Sequence, residues 1–92
     1  MGALVSVIMS TYNSGESAAR SIGSILGQTY GDLELLVTDD GSTDPATLQL
    51  LSDMAKQDGR IRVFFQKENL GPGCARNNSI REARGRYIAF CD

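Results

Sequence analysis

LELLVTDDGSTD, residues 33–44, decides the fold. An apolar run goes straight into two carboxylates, Asp39 and Asp40, and then into a Gly-Ser turn. Leu35, Leu36 and Val37 follow one another without a polar alternate, which marks a strand covered on both faces, as in a parallel α/β sheet. Such sheets bind ligands beyond the carboxyl ends of their strands, so the paired acids stand where a ligand is expected.

Upstream, residues 4–9 form an apolar strand that ends at Ser10, Thr11, Tyr12 and Asn13. Ser14 is placed to cap a first helix whose apolar positions Ala18, Ile22, Ile25 and Leu26 keep helical spacing. Residues 28–32 make a turn into the second strand, residues 33–38. Downstream, Asp44-Pro45 supplies an N-cap and the proline favoured at the first helical position; that second helix is expected to bury Leu48, Leu51, Met54 and Ala55. Asp58-Gly59 breaks it. Ile61, Val63 and Phe65 then alternate with Arg62, Phe64 and Gln66, the pattern of a half-exposed edge strand. Gly71-Pro72-Gly73 opens a third helix whose inner positions Ala75, Ser79, Ile80 and Ala83 are mostly small and permit close packing. Gly85 ends it before a fourth strand, residues 87–91.

The order βαβαβαβ with short connections implies right-handed crossovers. The expected fold class is therefore α/β, a parallel sheet of order 3-2-1-4 with helices on both faces. The ends of strands 1, 2 and 4 then converge where the strand order reverses, bringing together Thr11, Tyr12, Asp39, Asp40 and Asp92.

Composition narrows the chemistry. A chain of 92 residues with 41% hydrophobic content has room for one core. There is no histidine, so Ser-His and Cys-His nucleophiles and histidine zinc sites are excluded within this segment. Cys74 and Cys91 lack metal-ligand spacing and read as two reduced, buried thiols. The net charge of −2 hides an asymmetry: residues 1–46 carry six acids against Arg20, and the remainder five acids against eight bases. The basic residues are scattered over strand and helix ends, a solvated face rather than a nucleic-acid track. No apolar run approaches the ~20 residues needed to cross a bilayer, and the start leads directly into a strand. The expected location is cytoplasmic, or the cytoplasmic face of a membrane for a longer protein. RYIAFCD, residues 86–92, stops at an acid with no helix after it, so residues 1–92 read as the truncated N-terminal part of a larger domain.

Converging carboxylates repel unless they meet a cation or hydrogen-bond donors. A nucleoside diphosphate with a divalent metal supplies both, since Mg²⁺ or Mn²⁺ commonly binds one or two carboxylates plus phosphate oxygens. Asp92 is the best-placed candidate for such an ion.

Five blocks, VSVIMSTYN, SIGSILGQTY, LELLVTDDGSTD, ENLGPGCARN and GRYIAFCD, together resemble the inverting glycosyltransferases of family 2, which have the GT-A fold. They span nearly the whole chain in family order and at family spacing. The resemblance implies the nucleotide-sugar-binding half of an enzyme that transfers a sugar, with a UDP-sugar as the expected donor and a saccharide or lipid-linked acceptor, in polysaccharide, cell-wall or glycolipid synthesis. By position, Ser10, Thr11 and Tyr12 would line the base pocket, with Tyr12 packing on the base. Asp40 would accept the imide proton of uracil, Asp39 would shape the loop near the ribose, and Arg76 would lie near the base or phosphates. Asp92 would be the first acid of an Asp-x-Asp motif and touch the nucleotide and the metal, Mg²⁺ or Mn²⁺. No catalytic residue is expected up to Asp92. In that fold later strands cover the fourth strand, whose edge is here expected to recruit a partner, including a second copy.

A Rossmann dehydrogenase needs a glycine-rich turn after strand 1, which STYNSGE is not, and no GxxxxGK[ST] exists. The alternative from another class is a non-catalytic nucleotide-binding or interaction module.

Overall fold

The computed structural model describes residues 3–27 and 32–91. Seven elements follow in order: β1 (Val5–Thr11), α1 (Gly15–Leu26), β2 (Leu33–Asp39), α2 (Pro45–Gln57), β3 (Ile61–Phe65), α3 (Pro72–Glu82) and β4 (Tyr87–Cys91). All pairings are parallel and the strand order is β3-β2-β1-β4, as the sequence implies.

β1 and β2 each run past their apolar stretches, so that Ser10 pairs with Thr38 and Thr11 with Asp39. A strand flanked by parallel neighbours on both sides continues while its backbone is paired, whatever its side chains. Every residue of β2 is buried. Its odd-numbered side chains meet α1 and α2: Leu33, Leu35 and Val37 join Met9, Ala18, Ile22, Ile25, Leu51 and Ile61 in one core. Its even-numbered ones face α3, where Thr38 Oγ1 and Ser79 Oγ share a 2.7 Å hydrogen bond. The small residues Ala75 and Ser79 are fully buried and bring α3 down onto the sheet, while Ile80 and Ala83 are half-buried.

Several local expectations need correction. Ser14 occupies the N-cap of α1 but makes no side-chain cap; its hydroxyl donates to the Tyr12 carbonyl instead. The capping is done from outside, by Thr47 Oγ1, which accepts from Gly15 N at 3.2 Å and donates to Asp44 Oδ2 at 2.7 Å. That link explains why Thr47 rather than Leu48 is the fully buried residue of the first turn of α2. Asp44 caps α2 as expected, accepting from Ala46 N. α3 ends at Glu82, before Gly85. Cys74 is exposed, because Ala75 and Ser79 are the α3 positions turned to the sheet, and Cys91 is half-buried. Of the turn at residues 28–32, only Asp32 lies among the described residues.

At the amino end of the sheet, the buried Glu34 carboxylate accepts from Ser6 Oγ and from Arg84 N, both at 2.6 Å, with Arg62 3.6 Å away. Burial pushes its pKa up, but those two hydrogen bonds and the charges of Arg62 and Arg84 outweigh burial and hold it below the usual glutamate value. Ser6 Oγ also accepts from Gly85 N, so the α3–β4 connection is pinned to β1 and β2.

Candidate functional site

At the opposite end of the sheet, the loops after β1, β2 and β3 surround a cavity of about 440 Å³. Ser10, Thr11 and Tyr12 come from the end of β1, Ser14 from the N-cap of α1 and Ser17 and Ser21 from its body, Asp40 from the end of β2, and Asn69 and Pro72 from the approach to α3. This is where strand order reverses, so topology alone delivers these side chains to one place.

Tyr12 is 43% exposed at the rim, a large aromatic surface without a packing role in the core. Asp40 is 4% exposed and its carboxylate is committed to the β3–α3 loop: Oδ1 accepts from Leu70 N and Gln66 Nε2, both at 2.8 Å, and Oδ2 from Gly71 N at 2.9 Å. A carboxylate oxygen has two acceptor positions, so Oδ1 is filled and Oδ2 retains one. The same bonds hold Gly71, the N-cap of α3, at φ 99°.

Asp39 plays a different part. Fully buried and outside the cavity wall, it accepts from Ser42 N at 2.8 Å and from the Ser42 hydroxyl, closing the Gly41-Ser42 turn. Ser42 Oγ in turn accepts from Asn13 N at 2.8 Å. Asn13, at φ 48°, completes the clasp by accepting with Oδ1 from Thr43 N and Asp44 N. Gly41, at φ +74°, lies so close to the β3–α3 loop that a Cβ there would sit 2.5 Å from the Glu68 carbonyl carbon. The two acids thus organise two loops: Asp39 the one after β2, Asp40 the one before α3.

Nothing local in the sequence marks Asn13, Ser42 and Gln66 as site residues. Their partners lie between 3 and 31 residues away, and only Asn13 and Ser42 stand inside blocks that could have drawn attention.

Arg76 is not part of this cavity. It is exposed on α3, beside a separate groove of about 290 Å³ that it shares with Gly73, Asn77, Ile80 and Phe90. Asp92, expected to meet the nucleotide and the metal, lies outside the described residues. Among the described residues no group of three acids or cysteines is placed to hold a metal ion, and the oxygens of Asp39 and Asp40 are mostly engaged by N–H and O–H donors. Nor is any described helix long and apolar enough to cross a membrane.

One buried polar side-chain atom among the described residues has no hydrogen-bond partner: Thr11 Oγ1. It belongs to a residue only 7% exposed on the wall of the cavity.

Comparison with known proteins adds the family. The model of glycosyl transferase family 2 matches residues 6–92. An Escherichia coli relative named UDP-Glc:alpha-D-GlcNAc-diphosphoundecaprenol beta-1,3-glucosyltransferase is 42% identical over 89 residues, 97% of this chain and 34% of its own length. The crystal structure of Staphylococcus aureus TarS 1–349 with UDP-GlcNAc superposes with a TM-score of 0.84 at 33% identity, over 96% of this chain and 26% of that one. A mannosyltransferase from Pyrobaculum calidifontis in complex with GDP-Man and Mn²⁺ gives 0.84 at 27% identity, with the same coverage of 96% and 26%. Among the curated relatives with the strongest matches, the chain spans 13% to 35% of the full length.

Proposed function

We propose, from the premise that this chain belongs to glycosyl transferase family 2, that it is the donor-nucleotide-binding part of a longer glycosyltransferase. The observation that carries the reading is the pairing of an exposed aromatic ring, Tyr12, with a carboxylate that keeps one acceptor position, Asp40, on a single cavity at the carboxyl end of a parallel sheet. A flat heterocycle stacks on Tyr12 and presents a ring N–H to Asp40. Uracil offers such a proton at N3, whereas cytosine N3 carries a lone pair that a carboxylate repels.

The donor in this proposal is a UDP-sugar, the sugar is transferred with inversion, and the acceptor is a saccharide or lipid-linked hydroxyl. The name of the Escherichia coli relative supports the donor and a lipid-linked acceptor. The UDP-GlcNAc complex supports the donor, and the GDP-Man complex is the counterweight. Ser10 and Thr11 complete the base pocket, Asp39 sets the turn beside it, and Arg76, whose side chain makes no hydrogen bond or ion pair among the described residues, offers a charge to the diphosphate from the neighbouring groove. In this proposal Asp92 would help to hold a divalent cation, which would supply positive charge to the diphosphate. The unpaired, exposed thiol of Cys74 supports a reducing, cytoplasmic setting.

The test is competitive titration of UDP, CDP and GDP followed by NMR shifts. We expect UDP to perturb Tyr12 and Asp40 and to outcompete CDP, with Asp40→Ala and Tyr12→Ala each weakening UDP about tenfold or more. Equal response to UDP and CDP refutes the base-pocket assignment. Preference for GDP moves the donor class, since guanine N1–H also faces a carboxylate.

A further inference from the structure

Two of the three donors that hold the Asp40 carboxylate are backbone N–H groups, Leu70 N on Oδ1 and Gly71 N on Oδ2, which any residue but proline supplies. The third, Gln66 Nε2 at 2.8 Å from Oδ1, belongs to a side chain. A carboxylate only accepts, so the Gln66 amide turns its nitrogen toward it. Strand register explains how the two groups meet. β3 ends at Phe65, which is paired with Asp39, and the ladder runs on by one hydrogen bond, from Gln66 N to the Asp39 carbonyl at 2.9 Å. One residue further along, Gln66 and Asp40 lie side by side on the same face of the sheet, and the amide reaches the carboxylate directly.

We infer that Gln66 is a positioning residue that decides how many donors Asp40 can accept from a base, and thereby favours uracil over guanine. This role rests on the nucleotide reading of the cavity and deepens it. By filling the second acceptor position of Oδ1, Gln66 leaves the carboxylate able to take one base N–H and no more. Uracil presents a single ring N–H, at N3, between two carbonyls. Guanine presents two donors side by side, N1–H and the N2 amine, which match the two oxygens of an open carboxylate as a fork. With Oδ1 filled, the guanine amine finds no partner on Asp40 after losing its water, and an unpaired buried donor is unfavourable. Solved structures similar to this chain hold UDP-GlcNAc in one case and GDP-Man in another, so the fold alone does not make this choice.

Inosine diphosphate isolates the effect, because hypoxanthine is guanine without the N2 amine. In competitive titrations against the 92-residue chain, GDP should bind no more tightly than IDP. Gln66→Met keeps the length of the side chain and removes the donor; GDP should then exceed IDP by about three- to tenfold, with UDP within about threefold of its parent affinity. Gln66→Lys returns an N–H donor to Oδ1 and should bring GDP and IDP back to parity. A glutamine that only ties down the loop would weaken all three nucleotides together and leave the ratio of GDP to IDP at its parent value. The parent comparison needs no variant to fold: GDP binding several-fold more tightly than IDP would show that Asp40 already accepts the fork, and the role of Gln66 is then wrong. If UDP perturbs Tyr12 and Asp40 but the ratio is the same in the parent chain and Gln66→Met, Gln66 sets no base preference and the nucleotide reading stands. Absence of GDP binding to a folded Gln66→Met counts the same way. If UDP perturbs neither Tyr12 nor Asp40 in the parent chain, both readings fall together.

Discussion

Gly41 is where one added methyl group meets the most resistance, because two independent constraints coincide there. Its φ of +74° lies in the region that L side chains rarely adopt, and a Cβ would come within 2.5 to 2.8 Å of backbone atoms of Glu68 and Asn69. Backbone atoms cannot swing aside as a side-chain tip can, so Gly41→Ala should destabilise the fold by about 1–3 kcal/mol, measured by thermal or urea unfolding. The displaced loop carries Leu70 and Gly71, whose N–H groups hold Asp40, so the same variant should bind UDP more weakly. Tyr12 and Asp40 were legible in the sequence because each ends an apolar run, and the end of a buried parallel strand is a place with few structural uses. The double duty of Asp40 was not legible: its partners Gln66, Leu70 and Gly71 are 26 to 31 residues downstream, and only the folded loop shows that they meet it. Asn13 and Thr47 escaped for the same reason, each being a short polar side chain that joins two loops or helix starts rather than obeying a local pattern.

Among the elements, α3 and β4 depend on a charge at the end of the sheet away from the cavity. Glu34 is held below its ordinary pKa, so its contribution is complete above the unfolded value of about 4.3 and is lost as pH falls through the lowered folded value. Stability should therefore decline on the acid side in the parent chain, and Glu34→Gln should flatten that decline while lowering stability at pH 7 by about 1–3 kcal/mol. Urea midpoints measured from pH 7 down to pH 3 decide it; parallel curves for the two proteins would show that Glu34 carries no such linkage. Among the described residues β4 is an edge strand, with Tyr87, Ile88 and Phe90 between 44% and 59% exposed. Unpaired apolar edges recruit other strands. We expect association that grows with concentration in light scattering, and Phe90→Ser should reduce it; a monomer at millimolar concentration would exclude the edge as a contact. Strand order and element types could be read from periodicity and connection lengths. The extra residues of β1 and β2 could not, because Ser10, Thr11 and Asp39 are strand members through their neighbours' backbones and not through their own side chains.

As a whole molecule, the chain is short beside its relatives. The chain spans 34% of the Escherichia coli relative and 26% of the TarS chain. On the proposed reading it holds the donor nucleotide and leaves the reacting end of the donor to residues elsewhere, so the purified 92 residues should bind UDP without releasing it from UDP-sugar in an acceptor-dependent way. Acceptor-dependent turnover above a no-protein control would place the transfer chemistry within these residues and overturn that division. One feature of the sheet bears on how the chain comes to exist at all. β1 precedes both of its partners in the sequence yet lies in the interior between β2 and β4, with Val5 paired to both Leu33 and Tyr87. During vectorial synthesis one flank of β1 is satisfied early, once β2 has left the ribosome, but the other waits for the last strand of the segment. For that interval the growing chain presents the raw side of its own central strand, and a chaperone or a neighbouring nascent chain can reach it before β4 does.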